Sequence, residues 1–96
     1  MRLTPEQTRV ILATVREQAG CDARIVLFGS RTNDTRRGGD LDLLVESSPA
    51  LSLIQRARIK QTLENALLMP VDILAKQANV PPKPFQAIAL ATGVVL

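Results

Sequence analysis

Apolar residues recur along this chain in two periods, and the changes of period divide it into elements. Leu3, Val10, Ile11, Thr14 and Val15 recur at helical spacing and form a one-sided apolar face, with Arg9, Arg16 and Glu17 mostly on the other side. Thr4-Pro5-Glu6-Gln7 reads as the start of this helix. Thr4 is the N-cap, Pro5 takes the first helical position, where its missing N–H goes unused, and Gln7 closes a capping box. Gly20 after Ala19 ends the helix. Arg24-Ile25-Val26-Leu27-Phe28 is then a nearly continuous apolar run, which suits a buried central strand. Gly29-Ser30 ends that run, 31–39 is polar, and Gly38-Gly39 marks a second turn. Leu41-Asp42-Leu43-Leu44-Val45 is the second strand. Alternation puts Leu41, Leu43 and Val45 on one face and Asp40, Asp42 and Leu44 on the other.

Ser47-Ser48-Pro49 reads as a loop, and Leu51 to Leu68 as a second long helix. Its apolar stripe of Leu51, Ile54, Ala57, Ile59, Leu63, Ala66 and Leu67 drifts around the axis, and Met69-Pro70 stops it. Val71-Asp72-Ile73-Leu74 is a third short strand, and Val80-Pro81-Pro82-Lys83-Pro84 a stiff extended connector. A last helix runs from Phe85 to Thr92, and Val94-Val95-Leu96 is a candidate edge strand. The order is helix, strand, turn, strand, helix, strand, helix. This is an α/β pattern of the α+β kind, a small mixed sheet with flanking helices. The second strand, second helix and third strand form a β-α-β unit, which joins parallel strands. If those strands are neighbours, Asp40, Asp42 and Asp72 meet at one end of the sheet. A short connection permits the first strand to run antiparallel to the second, which brings Gly29-Ser30 to the same end.

Composition narrows the chemistry. The 96 residues are read as one domain, 1–96, with a modest core. At 46% apolar residues and only two aromatics, that core is aliphatic. No apolar run approaches the roughly 20 residues of a membrane span, and Met1 to Glu6 lacks the apolar stretch of a signal peptide. The lone Cys21 makes no internal disulfide, so the expected compartment is a reducing cytoplasm. The net charge of +3 is spread along the chain and points only weakly to a polyanionic partner. The absence of histidine argues against zinc and excludes a Ser-His-Asp or Cys-His nucleophile within this chain. A metal held here would be a hard cation on carboxylates, Mg²⁺ or Mn²⁺.

Aspartate is depleted in strands, so Asp40 and Asp42 on one strand face need a reason. A capping or turn role explains one of them but not a same-face pair. With Asp72 they make three carboxylates that repel one another unless a cation joins them. Two divalent ions on such a cluster can clamp the attacking and leaving oxygens of a phosphoryl or nucleotidyl transfer. The backbone separation of Asp40 and Asp42, about 7 Å, suits shared ions. Gly29 lets the backbone approach a phosphate, Ser30 offers a hydroxyl and an N–H, and the planar fork of Arg31 matches phosphate oxygens. The plainer alternatives are an ordinary turn for Gly29-Ser30 and a loop-edge aspartate for Asp72. Arg36 and Arg37 read better as a solvated basic loop, Arg56 to Lys60 and Lys83 as solvated charges, and Cys21 as inert.

Phe28-Gly29-Ser30-Arg31, then Gly39-Asp40-Leu41-Asp42-Leu43-Leu44-Val45, then Val71-Asp72-Ile73-Leu74 resemble the minimal nucleotidyltransferases of the DNA-polymerase-β superfamily, of the MntA-like antitoxin type. The tail from Ile88 to Leu96 is also similar to theirs. The resemblance implies a polymerase-β-like fold in which Asp40 and Asp42 bind Mg²⁺, and Asp72 completes the metal site and helps deprotonate the acceptor hydroxyl. Gly29 and Ser30 would hold the nucleoside triphosphate, assisted by Arg31. It further implies transfer of AMP from ATP to a hydroxyl, such as a tyrosine of a small helical HEPN-type partner toxin, and hence an antitoxin. One departure is that Asn33-Asp34 stands where many relatives have Arg-Gly, in a loop about one residue shorter, with Arg36 and Arg37 as candidate substitutes. A second reading is a catalytically weak or inactive binding module that neutralises or scaffolds a partner protein. A third, a non-catalytic nucleic-acid-binding protein, ranks last for want of an aromatic stacking platform or a DNA-binding motif.

Overall fold

The computed structural model describes residues 3–28 and 41–96. The first helix, α1, is Pro5–Ala19. Its capping box is formed: Gln7 N donates to Thr4 Oγ1 at 3.1 Å, and Thr4 N to Gln7 Oε1 at 2.9 Å. Gly20, at φ 93°, closes it by donating its N–H to Arg16 O. A side chain there would meet no neighbour within 4 Å, so the left-handed backbone and not space favours glycine. Strand β1 is Arg24–Phe28, as its apolar run predicts.

Strand β2, Leu41–Ser47, outlasts the five residues expected of it. Helix α2 is Leu53–Leu67, two residues shorter at its start than the apolar stripe suggests. The reason is a second capping box. Ser52 Oγ accepts from Gln55 N at 3.1 Å, and Gln55 Oε1 from Ser52 N at 2.9 Å. Leu51 is buried ahead of the helix, and Ile59 and Leu63 are buried within it, whereas Ile54, Ala57 and Ala66 face solvent. Leu68, in the left-handed region at φ 56°, caps the end. Strand β3 runs Val71–Gln77, helix α3 Pro84–Thr92 and strand β4 Val94–Val95.

The sheet order is β3-β2-β1-β4, with β1 antiparallel to β2 and β4, and β2 parallel to β3. Alternation sorts the core onto two faces. Ile25, Leu27, Leu41, Leu43, Val45 and Val71 pack with Ile11 and Val15 of α1 and Ile59 and Leu63 of α2. Val26, Phe28 and Leu44 pack on the opposite face with Ala89 of α3. Gly93 lets β4 lie close to β1, since a Cβ there would come within 2.4 Å of Val26 Cγ1 and 2.7 Å of Leu27 O. Among the described residues no helix is long and apolar enough to cross a membrane.

β3 continues past Leu74 because Lys76 is stabilised inside the fold. Lys76 is only 5% exposed, and its ammonium donates to Glu46 Oε2 at 2.7 Å, Gln77 O at 3.0 Å and Val80 O at 2.7 Å. Three donors meet three acceptors, which offsets the cost of burying the charge. The bond to Val80 O also anchors the proline-rich connector, and Gln86 Nε2 donates to Ala75 O at 3.3 Å from the first turn of α3.

Candidate active site

Parallel pairing makes β2 and β3 start together. Leu41 is the register partner of Val71, and Asp42 of Asp72. Leu41 N donates to Pro70 O at 2.9 Å, tying the two starts. Leu41 and Val71 point into the core beneath α1 and α2, so Asp42 and Asp72 fall on the opposite face, the one α3 covers in part. Adjacent strands lie about 4.8 Å apart, so the two carboxylates stem from neighbouring points on one surface. The antiparallel partner of Asp42 on its other side is Phe28, the last residue of β1. The acid end of β2 and β3 and the end of β1 therefore share one edge of the sheet.

A cleft of about 540 Å³ opens there, lined by Asp42, Asp72, Phe28, Leu74, Phe85, Ile88 and neighbours on α3. The rings of Phe28 and Phe85 meet edge to face, with centroids 6.1 Å apart and planes at 79°. This seats the first turn of α3 against β1. The cleft is thus acidic at one end and apolar along its α3 wall. Asp72 is largely exposed and Asp42 half-buried.

Helix α2 reaches the same edge from the other side. Glu64 Oε2 accepts from Val71 N at 2.9 Å and from Lys60 Nζ at 3.0 Å, and Lys60 Nζ also donates to Val71 O. The same ammonium stands 3.8 Å from Asp72 Oδ1. The Val71 N–H foremost, then the Lys60 ammonium, hold the Glu64 carboxyl below its usual range. In the sequence Lys60 reads as a solvated charge. The i, i+4 spacing of Lys60 and Glu64 was visible, but their reach onto β3 depends on where α2 packs.

Of the predicted site residues, Asp42 and Asp72 are brought together. Asp40, Gly29, Ser30 and Arg31 lie outside the described residues, as do Asn33, Asp34, Arg36 and Arg37. Among the described residues no three His, Cys, Asp or Glu side chains gather into a potential metal site.

Residues 9–91 match the family model of the nucleotidyltransferase domain. The chain belongs to this family. Two solved structures are similar to this nucleotidyltransferase. One, a toxin–antitoxin with AMP-PNP, is 26% identical over 91% of this chain and 69% of its own, with a TM-score of 0.71. The other is the toxin–antitoxin MntA–HpeT in a variant with two aspartates, two positions apart, changed to glutamate. It is 22% identical over 93% of this chain and 70% of its own, with a TM-score of 0.70, a likeness of fold. No curated protein matches the chain significantly. Among the described residues, the three helices and mixed four-stranded sheet are the polymerase-β-like nucleotidyltransferase fold that the motifs imply. As a nucleotidyltransferase, the enzyme must admit a nucleotide and an acceptor together, and the cleft beside Asp42 and Asp72 opens at the edge from which the chain continues into Gly29 and Ser30.

Proposed function

We propose that the protein moves a nucleoside monophosphate, AMP from ATP, onto a hydroxyl of a partner protein, and that this modification makes it the antitoxin of a toxin–antitoxin pair. The observation that carries this reading is the pairing of Asp42 with Asp72 on one sheet face, at the mouth of a cleft. Asp40 lies two residues before Asp42 in the chain, the spacing of one strand face. The donor set suits a hard divalent cation: carboxylate oxygens on adjacent strands, with Asp72 open to solvent and no histidine in the chain. Asp40, Asp42 and Asp72 would hold Mg²⁺ or Mn²⁺, which when bound supplies charge neutralisation for the reacting phosphate.

In the transfer, Asp72 takes the proton of the acceptor hydroxyl on a carboxylate oxygen. The acceptor oxygen then bonds to the α-phosphorus, the bond from that phosphorus to the bridging oxygen breaks, and pyrophosphate leaves. Gly29 and Ser30, which follow Phe28 in the chain, hold the triphosphate, and Arg31 assists. The partner is read as a small helical HEPN-type toxin, modified on a tyrosine. The likeness to toxin–antitoxin structures, one with AMP-PNP, supports a protein partner and an adenine nucleotide. The cleft supports it too, because its α3 wall is apolar and uncharged where an acceptor would rest.

The test mixes labelled ATP, Mg²⁺ and a candidate small helical HEPN-type protein. Label is expected on the partner with the wild-type chain and not with Asp40→Asn/Asp42→Asn. Transfer that survives the double substitution would refute the acid cluster as the site. Neutralisation of the partner without transfer by either protein would establish the binding-module reading instead.

A further inference from the structure

We infer that Lys60 and Glu64 are positioning residues for Asp72, acting from α2 through the peptide that leads into it. This rests on the proposed role of Asp72 in the transfer. Among the described residues β3 is an edge strand, paired with β2 alone. Its first residue, Val71, offers its N–H to Glu64 at 2.9 Å and its C=O to Lys60, so both backbone groups bond to α2 and not to a strand. Lys60 and Glu64 are themselves joined at 3.0 Å. The result is a closed ring of three hydrogen bonds around the residue before Asp72. The Val71 side chain is fully buried, as are Ile59 and Leu63 on α2, so the ring sits on a rigid base.

The ammonium that closes the ring also faces the Asp72 carboxylate, 3.8 Å from Oδ1. Two restraints therefore act on Asp72, one on its backbone and one on its side chain. The Lys60 and Asp72 side chains are 46% and 63% exposed, and exposed ion pairs contribute little to stability. The consequence of this contact is direction: it draws one carboxylate oxygen toward α2 and leaves the other for the cleft. Transfer needs that oxygen at a fixed place, because a misplacement of about 1 Å can cost roughly 100-fold in rate.

The test uses the full chain and the variants Lys60→Met, Lys60→Arg and Glu64→Gln. Hα–Hβ couplings of Asp72 in the metal-free protein report its χ1 rotamer. One dominant rotamer is expected in the wild type and in Lys60→Arg, and averaging in Lys60→Met. In label transfer to the partner, Lys60→Met should lower kcat about 10-fold while KM for ATP stays within about twofold, and Lys60→Arg should recover most of the loss. Glu64→Gln, which keeps an acceptor for Val71 N–H, should fall between. Unchanged Asp72 couplings in Lys60→Met would overturn the inference. So would averaged couplings with an unchanged kcat, since the ring would then be structural only. Couplings that respond in a chain that transfers nothing even as wild type would leave the restraint standing and count against the proposed function instead.

Discussion

At the scale of single residues, the acid edge separates chemistry from stability. Asp72 is largely exposed, with Lys60 at 3.8 Å as an ion-pair partner. Under the proposed function, Asp72→Asn should therefore leave the melting temperature nearly unchanged and lower label transfer by about 100-fold or more, as loss of a proton-accepting group does. A rate assay beside a thermal melt checks both halves. Glu64 behaves in the opposite way. Its carboxyl is held below the usual 4.5 by the Val71 N–H and by Lys60, so its folded-state value is depressed relative to the unfolded chain. Its contribution to stability is therefore complete above the unfolded value and is lost as pH falls through the folded one. Denaturation of wild type and Glu64→Gln should give a stability difference that is constant near neutral pH and shrinks below about 4.5. A difference that grew on acidification would contradict the assigned bonds. Asp42 and Asp72 were legible as candidates because aspartate is misplaced on a strand. Lys60 was not, because an exposed helical lysine looks alike in sequence whether it meets water or a neighbouring strand.

At the scale of elements, local chemistry accounts for what could be read and tertiary pairing for what could not. α1 was readable at both ends because its stop and start signals lie within four residues of the backbone groups they satisfy. Ser52 and Gln55 carry the same capping signal for α2, but the apolar Leu51 and Ile54 around it drew the helix start outward. β3 seemed to end at Leu74 because a strand that continues through Ala75-Lys76-Gln77 buries a lysine. The strand holds because Lys76 lies in register with Glu46, a partner 30 residues away in sequence, which no local pattern reveals. Truncation of Lys76 should show how much that pair matters. Among the described residues, Lys76→Ala leaves Glu46 with Arg24 alone as a cationic partner, at 3.8 Å, and strips Val80 O of its donor. The expected loss is about 3 kcal/mol, read as a lower urea midpoint at unchanged slope. Lys76→Met, which keeps the packing of the stem, should lose less.

At the scale of the whole molecule, the two faces of the sheet serve different ends. One is sealed by α1 and α2 and carries the larger core. Among the described residues the other is covered by the short α3, a helix without a single charged residue, of which Ala89 alone is buried. A largely apolar helix is normally enclosed, yet this one keeps large apolar side chains exposed. Phe85 and Ile88 are 61% and 62% exposed and line the cleft that holds Asp42 and Asp72. Under the proposed function, a partner that brings its hydroxyl to those carboxylates must rest on this wall. Ile88 is the residue to change, because Phe85 also packs on Phe28 and so carries part of the fold. Ile88→Asp should leave the unfolding free energy from urea denaturation within about 0.5 kcal/mol of wild type, as exposed substitutions do. It should weaken association with the partner at least about 10-fold, since a central interface contact is worth roughly 1–2 kcal/mol or more. Titration calorimetry with the purified partner gives the affinity, and the same variant assayed for transfer should show a raised KM for the partner with KM for ATP unchanged. If partner affinity is untouched while KM for ATP rises, the wall seats the nucleotide base, and the acceptor approaches from another side of the cleft.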